Sequence, residues 1–147
     1  MQTFLPYPDL ARSLSVLDSR RLGKQRLEAH TILGILADPQ GKRGWRNHPA
    51  VLMWRGYEEA LKLYYNLCLE EWIRRGYRNR MPAETVDRAA VVLPWWLGRP
   101  EFHAAHRANL LRKYPEHYGC LGWQDDPDLP YWWPTQHEEL RHGAKAR

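Results

Sequence analysis

Residues 47–76, NHPAVLMWRGYEEALKLYYNLCLEEWIRRG, read as one long amphipathic helix, and that reading sets the fold class. Asn47 or His48 stands where a cap is needed, and Pro49 suits a first turn because its missing N–H has no partner there anyway. Ala50, Met53, Tyr57, Leu61, Tyr64, Cys68 and Trp72 recur every three or four residues and make an apolar stripe. Glu59, Lys62, Asn66 and Glu70 fall on the opposite face, and Arg75–Gly76 supplies the stop signal.

Upstream, helical periodicity runs over 13–36, with Leu22, Ala29, Leu33 and Leu36 on one stripe. Gly23 interrupts it and marks a close approach of another backbone. Residues 1–9, carrying Pro6 and Pro8, are expected to be extended, and 38–46, with Pro39, Gly41 and Gly44, to be a loop. Downstream, 82–92 read as a short helix broken by Pro94. Pro100 opens a third long helix to about Lys113, stopped by Pro115. Beyond Tyr118 the chain is rich in Pro, Asp and Trp and reads as ordered but irregular, with residues 142–147 frayed. Alternating strand patterns are absent. The expected architecture is therefore mainly α, a compact single domain over 1–147 with long irregular segments.

The formal net charge of +5 favours a polyanionic partner. The two cysteines, Cys68 and Cys120, form neither a metal-ligand motif nor a secreted disulfide framework, and Cys68 reads as a small core residue. No apolar run reaches membrane-spanning length and no leader-like segment opens the sequence, so a soluble intracellular protein is expected.

Charge and chemistry meet on the first long helix, where Arg20, Arg21, Lys24 and Arg26 precede Glu28. At the helical angle per residue, Arg21, Lys24, Gln25 and Glu28 share one flank beside the apolar stripe, where a cleft wall belongs. A carboxylate beside bound phosphates suits general acid–base work on a nucleic acid. The alternative is an exposed Lys24–Glu28 ion pair, worth a few tenths of a kcal/mol. Arg26 projects onto the core stripe, where a guanidinium needs a carboxylate or phosphate partner.

Other candidates are more scattered. Arg46, Asn47 and His48 lie at a helix start, fit either to hold a phosphate or simply to cap. His103 and His106 have the i,i+3 spacing of metal ligands, without a third ligand nearby; with Arg107, Arg112 and Lys113 they also suit phosphate contacts. Tyr131, Trp132 and Trp133 are fit to stack on bases or to plug the tail onto the helices.

Together these residues resemble the pyrimidine-dimer DNA glycosylase/AP-lyase family of the phage endonuclease V type, and more closely a bacterial branch of it. The resemblance rests on MQTFLPYP at 1–8, Leu17–Asp18, RLGKQRLEA at 21–29 and GWRNHP at 44–49. PWWLG at 94–98, residues 103–113 and DLPYWWP at 128–134 extend it over nearly the whole chain. It implies a compact, mostly helical single domain needing no cofactor; the expected protein is a monomer without a metal, acting on double-stranded DNA in a bacterial cytoplasm at the nucleoid. It further implies a terminal α-amine that attacks the sugar, a Schiff base, β-elimination, and an assisting glutamate.

By motif position the glutamate is Glu28 and the amine belongs to Met1. An α-amine ordinarily titrates near about 8, so it keeps a neutral fraction that an ordinary lysine lacks. Relatives carry a small second residue, which permits methionine removal, and an arginine before the glutamate. Here these positions are Gln2 and Leu27, so Met1 itself, or else Lys24, must supply the nucleophile. A non-catalytic nucleic-acid-binding protein on the same scaffold, and an enzyme for a phage-modified base or for RNA, remain the other readings.

Overall fold

In the computed structural model, residues 1–38, 40–41 and 45–134 are described; the tail over 142–147 lies outside them. Among the described residues there are six α-helices and no strand. They are α1 (Leu10–Ser15), α2 (Ser19–Ala37), α3 (Pro49–Leu52), α4 (Glu58–Arg74), α5 (Pro100–Lys113) and α6 (Pro115–Tyr118).

Both long amphipathic runs are broken, each by a local device. Between α1 and α2 the backbone turns extended at Asp18 (φ −61°, ψ 152°), whose carboxylate accepts from the Arg21 N–H and caps a new helix. Between α3 and α4, Gly56 takes φ +88°, a conformation other residues resist, so the reading of 47–76 as one helix gives way to two. His48 is the cap of α3, its Nδ1 accepting from the Ala50 N–H at 3.0 Å. The predicted stop at Arg75–Gly76 stands, with Gly76 at φ +91°. Proline brackets α5 as expected, and a further turn, α6, begins at Pro115 itself. Within 82–92 only a 3₁₀ turn forms, Arg88–Ala90.

The core lies where α2 packs along α4, with α1 also against α4. Leu22, Ala29 and Ile32 of α2 and Leu61, Tyr64 and Cys68 of α4 are fully enclosed. Burial of several such side chains, at ~1.5–3 kcal/mol each, is the main force holding the pair. Gly23 does mark a close approach, but of a side chain rather than a backbone: the Trp72 ring stands 3.0 Å from where a Cβ would be. Trp54 meets Trp96 edge-on at 4.9 Å, which ties the α3–α4 turn to the irregular segment before α5.

The segment 1–9 is without helix, extended over 1–5 but bent over 6–9 where full extension is expected, and it is no surface arm. Thr3, Phe4 and Leu5 are buried, and the strap they form runs through the interior. Buried backbone groups outside helices need other partners, and here distant side chains provide them. The Phe4 N–H donates to Gln25 Oε1 (2.9 Å) and the Gln25 amide donates to the Gln2 carbonyl (3.1 Å). The single Tyr64 hydroxyl proton is shared between Gln25 Oε1 (2.6 Å) and the Phe4 carbonyl (2.9 Å); Trp54 donates to Thr3 Oγ1 (3.0 Å) and Arg107 to the Pro6 carbonyl (2.9 Å). Both polar groups of Leu5 go to histidines: its N–H donates to His106 Nδ1 (2.9 Å) and its carbonyl accepts from His103 Nδ1 (2.7 Å).

These bonds fix the tautomers. His103 Nε2 accepts from the Gly98 N–H at 2.8 Å, leaving its proton on Nδ1. His106 accepts at Nδ1, so its proton sits on Nε2 and goes to the Tyr131 oxygen at 2.9 Å. Burial lowers the pKa of both rings, His106 well below the ordinary histidine value. The unfolded chain then binds more protons than the folded one once pH drops below about 6.5. Stability is fully present above that pH and falls progressively below it. Melting temperature is expected to fall between pH 7.5 and 5.5, by calorimetry or circular dichroism; a flat or rising profile would contradict neutral histidines.

Candidate active site

The strap, α2 and the end of α5 enclose an open cleft of about 830 Å³. Met1, Gln2 and Phe4 enter it from the strap, and Lys113 and Tyr114 from the far side. The α2 wall presents Arg20, Arg21, Lys24, Gln25 and Glu28. The flank read from helical projection therefore faces a cavity.

Its charges are mostly uncommitted. Lys24 and Glu28 form no ion pair with each other, and among the described residues neither side chain has a hydrogen bond. The same holds for Arg20 and Lys113. Arg21 is partly engaged, 3.2 Å from Asp18 Oδ1. Burial works to raise the Asp18 pKa, but the Tyr118 hydroxyl and Arg21 outweigh it and hold the carboxyl below its usual value. Uncompensated cations around one carboxylate make a site for an anionic ligand with an acid–base group at its floor.

His48 links this floor to the aromatic tail. Its ring meets Trp133 edge-on at 5.9 Å and Trp45 at 5.8 Å. Burial, then the positive chain terminus, lower its pKa, and Glu28 acts in the opposite direction, so terminus, imidazole and carboxylate share one neighbourhood. The Gln2 carbonyl accepts from the Gln25 amide.

Other sequence candidates are placed elsewhere. Arg26 lies 4.1 Å from the Trp72 ring centroid and donates to Asn79 at 3.0 Å, so an indole face and an amide replace the expected carboxylate or phosphate. Arg46 and Asn47 border a separate hollow of about 460 Å³. Arg107 grips Asp125 through two bonds (2.7 and 3.1 Å), and Arg112 holds the Pro127 and Leu129 carbonyls. His103 and His106 spend both ring nitrogens on protein partners. Tyr131 and Trp133 pack 4.6 Å apart, and Trp132 lies against Trp95 and Phe102. Sequence reasoning missed the Asp18–Tyr118 bond, the strap's burial and Tyr114. Only Asp18, a cap-type residue before a basic run, carried a local signal.

The family model for pyrimidine dimer DNA glycosylases matches residues 1–85, well over half the chain. The chain belongs to this family. Among curated proteins and among solved structures, nothing matches it. The glycosylase match takes in the strap, α1 through α4 and Glu28, whereas α5, α6 and the aromatic tail lie beyond it. DNA is the substrate class that membership implies. No helix among the described residues is long and apolar enough to cross a membrane.

Proposed function

We propose that this protein is a DNA-repair glycosylase with AP-lyase activity, acting as a monomer on damaged or modified pyrimidines in double-stranded DNA. The observation that carries the reading is the meeting of Met1 and an unpaired Glu28 in one basic cleft. The Met1 amine attacks C1′ of the damaged nucleotide, and the C1′–base bond breaks with its electron pair leaving on the base. Loss of the amine proton and ring opening give an iminium. Removal of a C2′ proton then expels the 3′ phosphate, and water releases the sugar remnant from the amine.

Glu28 is suited to stabilise the positive charge developing at the sugar and to carry protons between these steps. Arg20, Arg21, Lys24 and Lys113 hold the flanking phosphates. The Gln25 bond to the Gln2 carbonyl anchors the strap next to residue 1 and supports the Met1 amine as the nucleophile.

Borohydride trapping tests this directly. On a duplex with one abasic site, a covalent adduct is expected, mapping to the first peptide of a chain whose intact mass retains Met1. An adduct on Lys24 would move the nucleophile. Salt-sensitive DNA binding with no adduct anywhere would leave a binding protein in place of the enzyme.

A further inference from the structure

Tyr114 lines the cleft beside Lys113 but has no role in the chemistry just described, and it comes from a part of the chain outside the family match. We propose that Tyr114 is a stacking platform for a nucleobase displaced from the duplex, with Lys113 neutralising the adjoining phosphate. The inference rests on the cleft taking DNA.

Several large aromatic rings serve as plugs; Trp54, Trp96 and Tyr118 are at most 1% exposed. Tyr114 is 41% exposed yet rigidly held. Its backbone forms the joint between α5 and α6: its N–H donates to the Leu110 carbonyl, and its own carbonyl accepts from His117 and Tyr118. The ring stacks on His117, with centroids 5.7 Å apart and planes at 24°. That support is itself anchored to the other wall. His117 Nε2 donates to the Val16 carbonyl at 2.9 Å, and the Tyr118 hydroxyl accepts from the Asp18 N–H at 3.0 Å while donating to its carboxylate at 2.5 Å. The α1–α2 junction thus sets the spacing between Tyr114 and the cations of α2.

An ordered, exposed aromatic face among unpaired cations is the arrangement that binds unstacked nucleotides, because every base offers a π face and every linkage a phosphate. Glycosylases must expose such a nucleotide. Tyr114 therefore favours duplexes that release a base cheaply, while leaving base identity to the rest of the site.

The test compares a duplex carrying one abasic site, whose opposite base is unpaired, with the intact duplex. Tyr114→Ala is expected to weaken binding to the abasic duplex by about 5- to 150-fold and to leave the intact duplex within about twofold. Tyr114→Phe and Tyr114→Trp should restore the preference, which a purely structural role would not require. Lys113→Ala should instead weaken both duplexes and reduce the log–log salt slope by about one. Equal loss on both duplexes, or none, for Tyr114→Ala overturns the proposal. Borohydride trapping on the same samples separates the two readings. Tyr114-dependent preference without any adduct supports the platform and removes the lyase; an adduct with unchanged Tyr114→Ala affinity does the reverse.

Discussion

Replacing Glu28 with glutamine is expected to slow base release and strand cleavage by about 10²–10⁴-fold, the usual range for losing a positioned acid–base group. Duplex affinity should stay within about threefold. The substitution preserves shape, and Glu28 has no ion pair or hydrogen bond among the described residues whose loss would disturb α2. On the proposed mechanism, what disappears is a negative charge facing the sugar and a site that exchanges protons. A solvated surface glutamate would behave differently, since exposed pairs contribute only a few tenths of a kcal/mol. Single-turnover assays with enzyme in excess separate chemistry from product release. A Glu28→Gln rate within threefold of the parent would remove the carboxylate from the mechanism.

What the sequence discloses about this molecule is what local pattern can encode. Proline on both sides gives α5 its limits, and Arg75–Gly76 ends α4. Helical projection puts Arg21, Lys24, Gln25 and Glu28 on one flank, and the cleft lies along it. The same periodicity misleads where a device one residue long interrupts it: Gly56 at positive φ and Asp18 as a cap each divide a continuous apolar stripe.

The strap is illegible for another reason. Its partners lie up to 101 residues away, as for Leu5 and His106, and no window of sequence contains both ends of such a bond. His103, His106, Arg107 and Arg112 therefore look like phosphate contacts by residue type, while the structure gives each an internal partner. Arg26 shows the limit of projection alone. Its half-buried place was readable, but its Trp72 face and Asn79 amide depend on how α4 and the following loop pass it.

Gln25→Leu is the second substitution expected to have a large effect, and it separates positioning from contact. Gln25 is 2% exposed; its Oε1 accepts from the Phe4 N–H and the Tyr64 hydroxyl (2.6 Å), and its Nε2 donates to the Gln2 carbonyl. Leucine fills similar space but leaves the Phe4 N–H without an acceptor and the Gln2 carbonyl without its donor. Unsatisfied buried groups cost ~1–3 kcal/mol each, so a loss of about 2–5 kcal/mol is expected, a large share of a domain's ~5–15 kcal/mol. The strap's first residue would lose its fix, and a displacement of the amine by about 1 Å is enough to reduce the rate ~10²-fold. Melting temperature and single-turnover rate should therefore both drop while duplex affinity, which the proposed phosphate contacts of Arg20, Lys24 and Lys113 would set, holds. Gln25→Glu keeps the acceptor for Phe4 but cannot donate to Gln2, so it should recover part of the stability and little of the rate. The opposite pattern, weakened DNA binding with an unchanged melting temperature, would make Gln25 a DNA ligand and leave the strap to its other clamps.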